Sequence, residues 1–220
     1  MEKMRTPIRC AGRPVSLILL AGGRSRRMKR DKARLPMPEG TLLERVLFQV
    51  EGYFDEILIS LSPGQRLSVS RGKSPAGRRP SFRRVEDAVP GQGPMAGVLA
   101  GLKAASHEVC AVIACDIPDI HIGLMRRLVR RAEAFDVVVP VASDGLVEPL
   151  FGVYRRKITP RIGQLIATGS KSLLLLLDVV RTCRFPMGDS GWLKNLNTPE
   201  DYRRFLDSLK SRYRTRLGRG

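Results

Sequence analysis

Apolar residues fall along this chain in two alternating patterns. Short continuous runs at 15–21 (VSLILLA), 56–61 (EILISL), 109–115 (VCAVIAC) and 136–140 (DVVVP) read as buried strands. Between them lie stretches with apolar residues at helical spacing. The pattern predicts helices over 41–54, with Thr41 and Glu44 in capping-box positions, over 95–105, opened by Pro94, and over 121–134. Farther on it predicts strands over 150–154 and 179–185 and helices over 160–167 and 170–177, the latter capped by Ser170. A last helix is expected over 199–209, capped by Thr198, with Pro199 in its first turn and Glu200 and Asp201 near its positive end. Alternation of this kind predicts an α/β fold: a single-domain, three-layer sandwich with a mostly parallel, Rossmann-like sheet covered on both faces.

Composition narrows the picture. With 220 residues and 43% hydrophobic content the chain can bury a real core without a disulfide or metal staple. No apolar run approaches the ~20 residues of a membrane span, so no membrane role is expected. The run at 15–21 follows basic residues as in a signal peptide, but the basic block GGRSRRMKRDK stands where a cleavage site belongs. Four cysteines at 10, 110, 115 and 183 form no CxxC pair. They read as reduced core thiols of a cytoplasmic protein, not as zinc ligands.

Net charge is +18, and it is concentrated. Segments 24–34, 66–84 and 203–219 together hold 21 of the 39 Lys and Arg residues. Residues 1–12 and 211–220 are expected as frayed basic tails around a domain over 13–210, and 63–84 as a mobile basic loop. Such charge makes non-specific binding to nucleic acid expected at low salt. The scarcity of aromatics and the absence of an RNA-binding or zinc-finger signature argue against that as the function.

Three stretches carry candidate chemistry. At 20–32, LAGGRSRRMKRDK runs from a buried strand through two glycines into a dense basic block. In open α/β sheets, ligands sit at the carboxyl ends of strands. Backbone N–H groups at Gly22 and Gly23 are expected to hold phosphate oxygens, with Arg27 and Lys32 adding positive charge. This is not a Walker A loop, since GxxxxGK[ST] is absent. At 87–97, DAVPGQGPMAG reads as a proline-stiffened wall for a base or sugar, with Asp87 as an acceptor. At 115–118, CDIP puts a carboxylate, Asp116, at the end of a buried strand, a hard oxygen ligand suited to Mg²⁺. His107 and His121 read as surface or capping residues, and no catalytic triad is present.

Together with NLNTPED at 195–201, these stretches resemble the molybdenum cofactor guanylyltransferases, within the GT-A-like nucleotidyltransferases. The order and spacing agree across nearly the whole chain, with Lys29 standing where the family has glycine. The resemblance implies that Leu20, Ala21 and Gly22 contact the nucleotide through their backbone. Gly23 and Arg27 would belong to the same phosphate loop and Lys32 would meet the phosphates. It implies that Ser60 and Asp87 also contact the nucleotide, that Asp116 binds Mg²⁺, and that Asn195 and Asn197 bind the pterin substrate, with Pro149 and Leu150 lining its pocket. The implied reaction is GMP transfer from GTP to the terminal phosphate of molybdopterin, releasing pyrophosphate, with a molybdoenzyme or its chaperone as recipient. An already ionised acceptor phosphate needs no strong general base, so positioning and charge neutralisation carry the mechanism. Alternatives are cytidylyl transfer to the same cofactor, transfer to a sugar phosphate, a pterin-holding module without catalysis, and a polyanion-binding protein.

Overall fold

In the computed structural model, residues 5–22, 31–66, 81–86, 93–188 and 194–217 are described, with side chains described as far as residue 212. In chain order the elements are β1 (Val15–Leu20), β2 (Pro36–Met37), β3 (Gly40–Thr41), α1 (Leu42–Val50), β4 (Glu56–Leu61), β5 (Arg83–Glu86) and α2 (Pro94–Ala104). There follow β6 (Val109–Ala114), α3 (Ile122–Arg131), β7 (Val137–Val141), β8 (Phe151–Arg155), α4 (Thr159–Ala167), α5 (Leu173–Val179), β9 (Thr182–Pro186) and α6 (Pro199–Leu217).

The continuous apolar runs become the centre of a seven-stranded sheet of order β5-β4-β1-β6-β8-β7-β9. All six residues of β1 are buried, as are all six of β6, because both faces of the sheet are covered. One core cluster packs α1 and α3 against the sheet through Leu43, Leu47, Met125 and Leu128. A second, on the opposite face, packs α2, α4 and α5 through Val98, Leu102, Ile162 and Leu176. The expected three-layer α/β arrangement is therefore present. The sheet is parallel except at β8, which runs antiparallel to both β6 and β7.

A third, smaller core lies apart. Leu35, Met37, Leu42, Leu196, Phe205 and Leu209 pack together, and the Tyr202 hydroxyl donates to the Pro36 carbonyl at 2.6 Å. It joins α6 to the β2–β3 hairpin. Thr41 caps α1 with the full capping box expected from its sequence, Glu44 bonding back to the Thr41 N–H at 2.7 Å.

Several expectations are corrected. Residues 5–12 are not frayed: Ile8 and Cys10 are buried, and Ile8 donates its N–H to the Tyr53 carbonyl at 2.8 Å. Helix α6 runs to Leu217 instead of ending at 209, through the segment read as a basic tail. Arg83 and Arg84, assigned to the loop, begin β5, whose polar sequence RRVE makes an edge strand beside β4. Residues 67–80 lie outside the described residues. The N-cap of α5 is Ser172, two residues after Ser170.

Candidate functional site

Strand register brings the site's framework into one row. Leu20 pairs with Ser60 of β4 on one side and with Ala114 of β6 on the other, so three strands end together. The chain leaving β1 is then drawn toward β4: Ala21 and Gly22 both donate their N–H groups to the Ser60 carbonyl, at 2.9 and 3.0 Å. The Ser60 side chain is buried, and a Cβ built on Gly97 of α2 would lie 3.0 Å from its Oγ. A Cβ on Gly22 would lie 2.7 Å from the Ser62 N, so glycine is required there for close approach of two backbones. The amides of Ala21 and Gly22 thus face the protein, not outward as a phosphate nest needs. Gly23 and Arg27, expected in the phosphate loop, and Asp87, expected at the base or ribose, lie outside the described residues.

Three of the expected residues converge. Lys32 stands on a single 3-10 turn, Lys32–Arg34, capped by the Asp31 side chain. Its Nζ donates to Asp116 Oδ2 at 2.7 Å and to Asn197 Oδ1 at 2.8 Å. The Lys32 and Asp116 side chains are only 17% and 18% exposed, so their charges attract in a partly desolvated setting. An ammonium has three N–H donors, and these contacts use two.

Asp116 stands two residues past the end of β6 and is pinned from both sides. The Cys115 N–H bonds to the Leu20 carbonyl at 3.0 Å, and the Leu196 N–H bonds to the Asp116 carbonyl at 2.8 Å. The second bond carries the late NLN segment onto the strand end. From below, Arg45 and Gln49 of α1 both donate to the Pro118 carbonyl, at 3.0 and 2.8 Å, and Arg45 also pairs with Asp119. The second carboxylate oxygen, Asp116 Oδ1, is buried and has no hydrogen-bond partner among the described residues. A buried carboxylate oxygen left in this way suits a hard divalent cation. Among the described residues no three His, Cys, Asp or Glu side chains gather as a metal cage.

Asn195 lies on the same segment but joins a different partner. Its Nδ2 donates to Glu148 Oε2 at 2.9 Å, and its Oδ1 is buried and unpartnered among the described residues. Burial pushes the Glu148 carboxyl up from its ordinary range; hydrogen bonds from Asn195 and the Leu150 N–H oppose this, and the nearby Asp116 charge adds to it. Glu148 and Gln65 are polar residues around the site that motif reading missed, and Asp31, inside the motif at 20–32, was given no role there. Gln65 donates to the Ala21 carbonyl at 3.1 Å and to Asp31 at 2.9 Å, closing the turn after β4 against the end of β1. The EPL triplet at 148–150 was one available signal, since an acid beside two expected pocket residues is conspicuous. No such signal marks Gln65. Pro149 and Leu150 are half-buried, and the Leu150 carbonyl accepts from the Ala114 N–H at 2.8 Å. His121 caps α3, its Nδ1 accepting from the Leu124 N–H.

A family model described as the MobA-like NTP transferase domain matches residues 17–180 of this chain. Among curated proteins, a probable molybdenum cofactor guanylyltransferase of Mycobacterium avium (strain 104) is 36% identical over 194 residues, covering 84% of this chain and 92% of that protein. Among solved structures, molybdopterin-guanine dinucleotide biosynthesis protein A from Archaeoglobus fulgidus superposes with a TM-score of 0.69 at 20% identity, covering 89% of this chain and 99% of that one. Rv0371c of Mycobacterium tuberculosis H37Rv, in complex with manganese, gives a TM-score of 0.62 at 21% identity, over 88% of this chain and 98% of that one. At those identities the two structures speak to the fold.

Proposed function

This chain belongs to the MobA-like NTP transferase family and is a nucleotidyltransferase; from that premise we propose that it transfers GMP from GTP to the terminal phosphate of molybdopterin, releasing pyrophosphate. The observation that carries the reading is the convergence of Lys32, Asp116 and Asn197 at the shared ends of β1 and β6. That is where an open α/β sheet takes its ligand. The guanine assignment rests on the Gly22-Gly23 pair and the Asn195-Leu196-Asn197 triplet, which favour the guanylyl over the cytidylyl branch.

The chain's own groups divide the work. Leu20, Ala21 and Gly22 form a wall at the strand end for the nucleotide, and the N–H groups of Ala21 and Gly22 tie it to the Ser60 carbonyl. Lys32 turns its remaining N–H toward the phosphates and offsets charge on the departing pyrophosphate, aided by Arg27. Asp116 would hold Mg²⁺ through its unpartnered oxygen. When bound, that ion supplies neutralisation between acceptor and donor phosphates. Asn197 keeps the Lys32 ammonium in place, and Asn195 faces the pterin. Gly23 joins the phosphate loop, Ser60 backs the nucleotide wall, and Asp87 accepts from the base or ribose. No residue needs to act as a strong base, because the acceptor phosphate is already ionised.

The reaction is assigned to the cytoplasm, with a molybdoenzyme or its chaperone receiving the product. All four cysteines are free and three are buried, consistent with a reducing compartment. No helix among the described residues is long and apolar enough to cross a membrane. Nucleic acid binds only as a non-specific polyanion in this reading.

The test is direct. Purified protein is mixed with molybdopterin, Mg²⁺ and either GTP or CTP, and pyrophosphate release is followed. Acceptor- and Mg²⁺-dependent release with GTP is expected. Preference for CTP, or no release with GTP, overturns the assignment.

A further inference from the structure

Asn195 presents a chemical choice that its backbone does not make. The two ends of a side-chain amide have nearly the same shape, and only their partners decide which faces where. Here the partner is Glu148, and Glu148 is tied down by hydrogen bonds of its own. Its N–H donates to the Pro140 carbonyl at 3.1 Å, its carbonyl accepts from the Phe151 N–H at 3.3 Å, and its Oε1 accepts from the Leu150 N–H at 3.1 Å. Its other oxygen, Oε2, is 2.9 Å from Asn195 Nδ2. As a carboxylate, Glu148 presents two acceptor oxygens, so only the NH₂ end of Asn195 fits against them. The carbonyl end is thereby turned the other way. The Asn195 backbone is fixed as well: its carbonyl accepts from the Asn197 N–H at 3.0 Å, and the next residue, Leu196, is buried and bonded to Asp116.

The result is a buried acceptor, Asn195 Oδ1, with no partner among the described residues. Leaving such a group unpaired is unfavourable unless a ligand completes it. Asp116 Oδ1, reached through the Leu196–Asp116 bond, is in the same condition. We propose that Glu148 is a positioning residue that fixes the amide of Asn195, so that its carbonyl oxygen is offered to an N–H donor on the acceptor substrate. The fitting chemistry is a nitrogen heterocycle carrying amine or ring N–H groups. This deepens the guanylyltransfer reading and rests on it for the identity of the acceptor.

Glu148→Gln keeps the volume but removes the acceptor-only face, because a glutamine amide pairs with either end of Asn195. With GTP and molybdopterin varied separately, this variant is expected to raise the acceptor KM roughly tenfold, about the worth of one hydrogen bond. The GTP KM and kcat stay within about twofold. Asn195→Ala produces the same rise, and the double variant is no worse than the larger single. Asn195→Asp, which sets two carboxylates face to face, tests the same bond from the other side and raises the acceptor KM too. Additive effects, or an unchanged acceptor KM, overturn the proposal. A shift in Mn²⁺ affinity in place of the acceptor KM also overturns it, since Asn195 would then serve the cation.

A second measurement needs no turnover. The ¹⁵N side-chain NH₂ signal of Asn195, identified by its loss in Asn195→Ala, is expected to exchange slowly with solvent and to change in Glu148→Gln. If that signal is indifferent to Glu148→Gln, the proposal falls. If it responds while wild-type protein releases no pyrophosphate from GTP, the guanylyl reading fails and the positioning role stands.

Discussion

The two ends of the same three strands carry polar clusters of opposite character. At the amino ends, Ser16 of β1 pairs in register with Glu56 of β4 and Cys110 of β6. Glu56 Oε1 accepts from the Ser106 hydroxyl at 2.8 Å and from the Arg83 guanidinium; Oε2 accepts from Ser16 Oγ at 2.6 Å and the Ser106 N–H at 2.9 Å. Since Ser16 gives its only proton to Glu56, the 2.9 Å contact to His107 Nδ1 assigns the donor hydrogen to the imidazole. Each Glu56 oxygen is doubly bonded to donors in this way. At the carboxyl ends, Asp116 and Asn195 each keep one buried oxygen unpaired. A saturated cluster holds strands together. An unsaturated one holds them together and keeps acceptors in reserve for something that arrives later.

That contrast predicts that variants at the two ends fail differently. Asp116→Ala is expected to lower Mg²⁺-dependent transfer by about a thousandfold, the upper end of what removing one key electrostatic group costs, while the thermal midpoint moves little. Normal turnover would remove the metal assignment. Lys32→Ala should follow with roughly a hundredfold loss in kcat/KM for GTP, read from initial rates. It also frees Asp116 Oδ2, so its effect and that of Asp116→Ala should not add.

Glu56→Gln should reverse the pattern, with near-normal kcat/KM per folded molecule and a loss of about 2 kcal/mol in stability, partial exposure being allowed for. Denaturant titration measures it. Burial disfavours the Glu56 carboxylate, but hydrogen bonds from Ser16, Ser106 and Arg83 outweigh it and hold its pKa down to about 2 from the ordinary 4.5. The folded-state value is the lower one. This stabilisation is therefore complete above about pH 4.5 and fades as the pH falls toward 2. Glu56→Gln should flatten the stability profile across that window; an unchanged profile would show that the cluster is not what acid disrupts. The smallest expected effect is Arg45→Ala, which loosens the Pro118–Asp119 turn behind Asp116. It should lower kcat a few-fold and leave the GTP KM nearly unchanged in steady-state assays.

What could be read from residues alone followed the strength of the apolar signal. The strand over 56–61 and the capped start of α1 were legible because each has one dominant physical cause: continuous burial in the first case, reciprocal capping in the second. Strand β5 was not, because an edge strand reading RRVE takes its pairing from β4 and not from its own hydrophobicity. Residues 5–12 looked like a tail because their anchoring depends on Ile8 and on Arg5 donating to carbonyls at the end of α1 and the turn after it, contacts more than forty residues away. At the site, Lys32, Asp116 and Asn197 stood in recognisable motifs and meet in space. The inward direction of the Ala21 and Gly22 amides was hidden, since a glycine needed for close packing and one needed for anion binding have the same letter. Glu148 was hidden for a related reason. Its importance lies in which end of a distant amide it admits, and that is a property of pairing, not of sequence.

The small core beneath the β2–β3 hairpin gives the carboxyl-terminal helix a role beyond covering apolar surface. Phe205 and Leu209 clamp Leu35 and Leu196 in one grip, so the turn bearing the lysine and the irregular segment bearing the two asparagines share a single foundation. Shortening the chain ahead of Phe205 would therefore do more than trim an extremity: both jaws of the site would lose their footing together.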